Sequence, residues 1–113
     1  LGLIGSISAN YEEGATSMFV IQLRFSMNKA NAGQFMDGHN AWLKDGFAKG
    51  TFLLAGTIQP KLGGAVLAHN VTLEQIQAIV KEDPFVAQDV VIAEIIEITP
   101  SKAAPQLEFL LQQ

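Results

Sequence analysis

Residues 51–69 read TFLLAGTIQPKLGGAVLAH. Two short apolar runs, Thr51 to Ala55 and Ala65 to His69, flank a glycine-bounded segment, Gly56 to Gly64, with Pro60 at its tip. Glycine and proline punctuation between two β-prone runs predicts a hairpin. Upstream, Met18 to Phe25 (MFVIQLRF) reads as a strand, with Gln22 and Arg24 alternating against Ile21, Leu23 and Phe25. Ser26 to Lys29 is turn-like, and a helix is expected from about Ala30 to Ala48, with Gly50 as its stop. Downstream, Thr72 and Gln75 form a capping box ahead of a helix whose buried stripe is Leu73, Ile76, Ile79 and Val80. Asp83-Pro84 should end that helix, because a residue before proline is pushed out of helical geometry. Val90 to Ile98 (VVIAEIIEI) is the longest strand signal in the chain.

The hairpin thus sits between two helices, and the order becomes strand, helix, strand, strand, helix, strand. With right-handed crossovers this is an α+β fold of the split βαβ type. Four antiparallel strands form one sheet, and both helices cover one face. Strand residues such as Ile21, Leu53, Val66 and Ile95 are not expected all to point to the helices. A second copy of the chain is the economical cover for the open face.

Composition narrows the function. With 113 residues there is room for one domain and one core. Hydrophobic residues make up 49% and charged ones 16%, a surface short of charge that favours burial against a partner. The net charge is −4 with no cluster of Lys or Arg, which argues against nucleic acid as a partner. Absence of cysteine removes thiolate chemistry and Cys-ligated zinc, and is compatible with the cytoplasm, the expected location. No apolar run approaches the ~20 residues of a membrane span. Residues 1–17 have no basic start and carry Glu12 and Glu13, so they read as an extension ahead of Met18. The domain is then residues 18–102, followed by a tail, residues 103–113, that Pro105 should break up.

His39 falls on the apolar stripe of the first helix, among Ala32, Phe35, Met36, Trp42, Leu43 and Phe47. A titratable ring among core side chains is a candidate general base; the plain alternative is a core histidine with one satisfied hydrogen bond. Gly33, Gly38 and Gly46 each cost this helix roughly 1 kcal/mol relative to Ala, which points to close packing against its backbone. Connectivity brings the hairpin tip, the end of the second helix and the upper half of the first helix to one end of the domain. Asp83 then lies near His39, where a carboxylate would fix the imidazole tautomer and make the other nitrogen a better base. Its alternative role is to end the helix before Pro84. Lys61 with the Gly63 and Gly64 amides could hold an anion, and Trp42 and Phe85 could line a pocket or simply fill the core. His69 has no evident partner. Two histidines without ligand spacing argue against a metal site, and no cofactor is expected.

These residues resemble the YciI-like (YCII-related) family. The resemblance lies in His39-Asn40-Ala41-Trp42-Leu43, in GTFLLAG at 50–56, in QPKLGGAVLA at 59–68, in Asp83-Pro84-Phe85-Val86 and in IIEITPSK at 95–102. It implies a ferredoxin-like domain that pairs through its sheets into a dimeric α/β-barrel-type assembly, with an active site built on His39 and Asp83. Thr57 stands where the family usually has proline, and Lys61 where one subgroup often has arginine. Gly56 and the hairpin residues Lys61, Gly63 and Gly64, with Trp42 and Phe85, are the expected substrate-binding set. The expected function is small-molecule acid/base catalysis of isomerase or lyase type. The alternative is a noncatalytic dimeric module that binds a small ligand or serves a structural role.

Overall fold

The computed structural model describes residues 17–111, so the expectation for residues 1–16 lies outside the described residues. Strands β1 (Met18–Phe25), β2 (Phe52–Ile58), β3 (Gly63–His69) and β4 (Val91–Ile98) form one sheet in the order β2-β3-β1-β4, with every neighbour antiparallel. Helix α1 spans Ala32–Ala48 and α2 Leu73–Lys81; α3 is a single turn, Pro84–Ala87. Alternation along β1 turns Phe19, Ile21 and Leu23 into the core with Trp42, Ile76, Val80 and Phe85 from the helices. Both long helices therefore cover the same face.

Of Ile21, Leu53, Val66 and Ile95, three point to the helices. Ile21 pairs with Val66 on one side and Ile95 on the other, so these three share the helix-covered face. Leu53 sits at an irregularity in the β2–β3 register. The open face instead carries the row Leu54, Leu67, Val20 and Ile96, which are directly paired. Leu53 lines the open-side cavity with Leu54 and Leu67, so the four do not all face the helices.

Local chemistry explains the helix ends. The Thr72 hydroxyl accepts from the Gln75 amide at 3.1 Å, and the Gln75 side chain accepts from the Thr72 amide at 2.8 Å. Thr72→Ala removes half of this box and should cost about 1 kcal/mol, read as a lower urea midpoint at unchanged slope. Gly50, at φ 77°, adopts the left-handed conformation that closes α1. Ahead of α1, Lys29–Asn31 form a 3-10 turn, so the helix proper starts two residues later than its pattern suggests.

Three further boundaries differ from expectation. Strand β2 runs on to Ile58, because Ala55 to Ile58 pair with Val66 to Gly63, and the turn shrinks to residues 59–62. Helix α2 ends at Lys81, and Asp83 starts α3 rather than merely stopping α2. The tail is not broken up: Pro105–Leu111 form a 3-10 helix with Leu110 buried. Pro105 opens that turn, where a missing amide donor costs nothing. Ser17, expected to belong to an extension, is buried and donates to Glu97 Oε2 at 2.7 Å. Among the described residues no helix is long and apolar enough to cross a membrane.

Candidate active site

Asp83 owes its position to the turn it makes. Extended at φ −67°, ψ 122°, it caps α3, with Pro84 at the first helical position. Its Oδ1 accepts the Phe85 amide at 3.0 Å. The same Oδ1 lies 2.9 Å from His39 Nδ1. With a carboxylate oxygen accepting this bond, Nδ1 is the nitrogen that donates it, and Nε2 is the nitrogen left free of Asp83. Asp83 is fully buried, and its Oδ2 has no hydrogen-bond partner among the described residues. His39 keeps 14% of its side chain exposed.

The imidazole is held in a stack. Its plane lies 4.1 Å from the Phe85 ring centroid to centroid at an angle of 5°, with Trp42 at 5.9 Å and 28°. Trp42 is itself fixed, since Nε1 donates to the Ile79 carbonyl at 2.9 Å. Helix α1 and the Asp83 turn meet very closely at Gly38, where an added Cβ would lie 2.8 Å from Pro84 Cγ. Gly38 precedes His39 and Pro84 follows Asp83, so this contact sets the approach of the two functional groups. The close packing expected at Gly38 is thus present, with Pro84 as the partner that the sequence does not name.

A YCII-related domain model matches residues 18–100. The chain belongs to the YCII-related domain family. Among solved structures, the chain is similar to the 5-chloro-2-hydroxyhydroquinone dehydrochlorinase TftG from Burkholderia phenoliruptrix AC1100, in complex with 2,5-dihydroxybenzoquinone. The two share 14% identity at a TM-score of 0.60, over 79% of this chain and 97% of that one. At that identity the likeness establishes the α+β fold. A comparison with curated proteins finds no match.

Around the His–Asp pair of this YCII-related domain, the other expected site residues separate into two groups. Trp42 and Phe85 touch the imidazole but are buried, Trp42 joining α1 to α2 and Phe85 serving as the floor under His39. Gly56 and Lys61 are exposed on β2 and at the hairpin tip, and no hydrogen bond or ring contact joins them to His39 or Asp83. Gly63 and Gly64 do not form an anion-holding loop. Both are strand residues, paired with Arg24 and Leu23 on one side and Ile58 and Thr57 on the other. Gly63 is required for a different reason: at φ 143° an added Cβ would collide with the Leu23 carbonyl. His69 does have a partner: it is half-buried, with Nε2 donating to the Gly50 carbonyl at 3.0 Å.

Two cavities of the single chain lie away from His39. A groove of about 480 Å³ runs between α2 and β4, lined by residues such as Gln77, Lys81 and Ile92. Another, of about 300 Å³, lies on the open side of the sheet. Neither is lined by His39 or Asp83. Among the described residues no group of three or more His, Cys, Asp or Glu is placed to hold a metal.

Proposed function

We propose that this YCII-related domain is a small-molecule enzyme in which His39 Nε2 exchanges a proton with the substrate and Asp83 holds the ring. The observation that carries this reading is the 2.9 Å bond from His39 Nδ1 to a fully buried Asp83 carboxylate. Burying a carboxylate whose second oxygen is unbonded costs stability, and capping a one-turn helix is a small return for it. Orienting a base recovers that cost in function. Flanking aromatic rings fix the imidazole plane, so Nε2 points in one direction, which is what positioned proton transfer needs.

Such a pair suits proton abstraction, isomerisation or elimination on a small cyclic or carbonyl compound. The dehydrochlorinase that shares the fold removes, by its name, hydrogen chloride from a chlorinated hydroquinone. Hydroxylated quinones and hydroquinones therefore head the compounds to be screened. A thermal-shift screen of small metabolites should raise the melting temperature with at least one ligand. That ligand should lose its effect in a His39→Asn variant; retention of the full shift would place binding elsewhere.

A second reading, a noncatalytic ligand-binding or structural module, is favoured by one observation. Cavities of about 480 and 300 Å³ in the single chain lie away from the pair. Turnover by the wild type and its loss in the variant separates the two.

The assembly proposed with this function is a two-fold dimer through the open sheet face, where Leu54, Ile92, Ile96 and Ile98 are exposed. Such an interface should bury more than ~1,000 Å² in total. Sedimentation at micromolar concentration should give twice the mass of the 12.2 kDa chain; a single-chain mass contradicts the proposal.

A further inference from the structure

We propose that the C-terminal turn, Pro105–Leu111, is part of the self-association surface, docked on its own sheet with apolar side chains left exposed for another copy of the chain to cover. The inference rests on the dimer proposed above and names the element that completes its interface. Within the chain the turn is already seated. Leu110 is 5% exposed, and the Phe109 ring stands edge-on to His69 at 5.5 Å and 77°. Leu107, Phe109 and Leu110 face Met18, Leu54 and Leu67 across a cavity of about 300 Å³ on the open side of the sheet.

Docking does not finish the burial of the turn. Leu107, Phe109 and Leu111 remain between 40% and 46% exposed, and Leu54, which lines the same cavity as Leu107 and Phe109, is 58% exposed. A segment that only closed its own domain would be expected to bury these side chains. Turn and sheet together bring the exposed Leu54, Leu107 and Phe109 to one cavity, and clustered exposed apolar side chains mark interaction sites.

The charges on this face indicate which partner fits. Arg24 and Glu94 lie two positions apart across the β1–β4 pairing, with Gln22 opposite Glu94 and Ile92 opposite Arg24. Both are exposed, and neither forms an ion pair among the described residues. A surface carrying one positive and one negative group side by side is self-complementary. A two-fold axis passing between these two groups would set each Arg24 toward Glu94 of the partner subunit. An anionic membrane is disfavoured, because the chain carries a net charge of −4 and both Glu94 and Glu108 sit on the patch elements.

The test is sedimentation equilibrium on the full chain and four variants, each checked for folding by circular dichroism. Leu107→Asp with Leu111→Asp alters only half-exposed residues of the turn and should raise the dimer dissociation constant at least ~10-fold. Arg24→Glu should weaken the dimer as well, and Arg24→Glu combined with Glu94→Arg should restore it. A chain ending at Lys102 gives the same reading without new charges, and covers the case in which the aspartate variant fails to fold. If the full chain is dimeric and both the aspartate variant and the shortened chain keep its dissociation constant, the role of the turn is overturned while the dimer stands. A monomeric full chain overturns the dimer itself, and the patch then belongs to another partner.

Discussion

His39→Asn is expected to leave the protein folded and to reduce turnover of its substrate by about 10²–10⁴-fold, the usual contribution of a positioned acid/base group. The asparagine amide still offers Asp83 a donor, so the buried carboxylate need not lose its partner. What disappears is the nitrogen that takes and returns a proton. A histidine that served only the core would behave in the opposite way. Its replacement would lower stability by roughly 1–3 kcal/mol through an imperfectly satisfied buried group, and activity would track the folded fraction. Turnover and melting temperature measured on one sample separate these outcomes.

Gly46→Ala should produce the largest loss of stability of any single methyl added to α1. The new Cβ would lie 2.2 Å from both Cδ2 and Cε2 of Phe52. That ring has little freedom to retreat, since it stands edge-on to Trp42 at 4.9 Å and to Phe47 at 6.0 Å. Overpacking of this kind typically costs about 1–3 kcal/mol. For a domain of this size each kcal/mol lowers the melting temperature by about 4–8 °C. Gly33→Ala is the control: nothing lies within 4 Å of its added Cβ, so helix propensity should make it neutral or stabilising by up to ~1 kcal/mol. Equal melting temperatures for the two variants would show that the α1–β2 contact is looser than described.

Most of the fold is legible because each element carries its own signal. Met18–Phe25 has the strand period, and Thr72 with Gln75 marks a helix start that the structure realises bond for bond. The hairpin was less legible. Gly56, Gly63 and Gly64 read as turn residues, yet all three lie in strands. Gly63 is a glycine because the Leu23 backbone passes too close for a side chain, a tertiary fact with no local mark. The tail misled for a related reason: a proline breaks a helix from within but opens one readily at its first position.

The site divides along the same line. Chain connectivity alone delivers His39 and Asp83 to one end of the domain, because it depends only on element order. The details needed contacts between distant segments. Phe85 under the imidazole, Gly38 against Pro84 and Trp42 bonded to Ile79 are all pairings across 37 or more positions. Phe85 and Trp42 could be listed as aromatic neighbours from the sequence, but not as the buried supports they prove to be.

Asp83 holding His39 as a single tautomer, with Nε2 free, is the claim on which the catalytic reading depends. Long-range ¹H–¹⁵N correlation spectra of the imidazoles, recorded where His39 is neutral, test it directly. The account predicts a His39 pattern with the proton on Nδ1 and a bare Nε2, lost or mixed in Asp83→Asn. A His39 ring protonated on Nε2 in the wild type, or a pattern indifferent to Asp83→Asn, would contradict it.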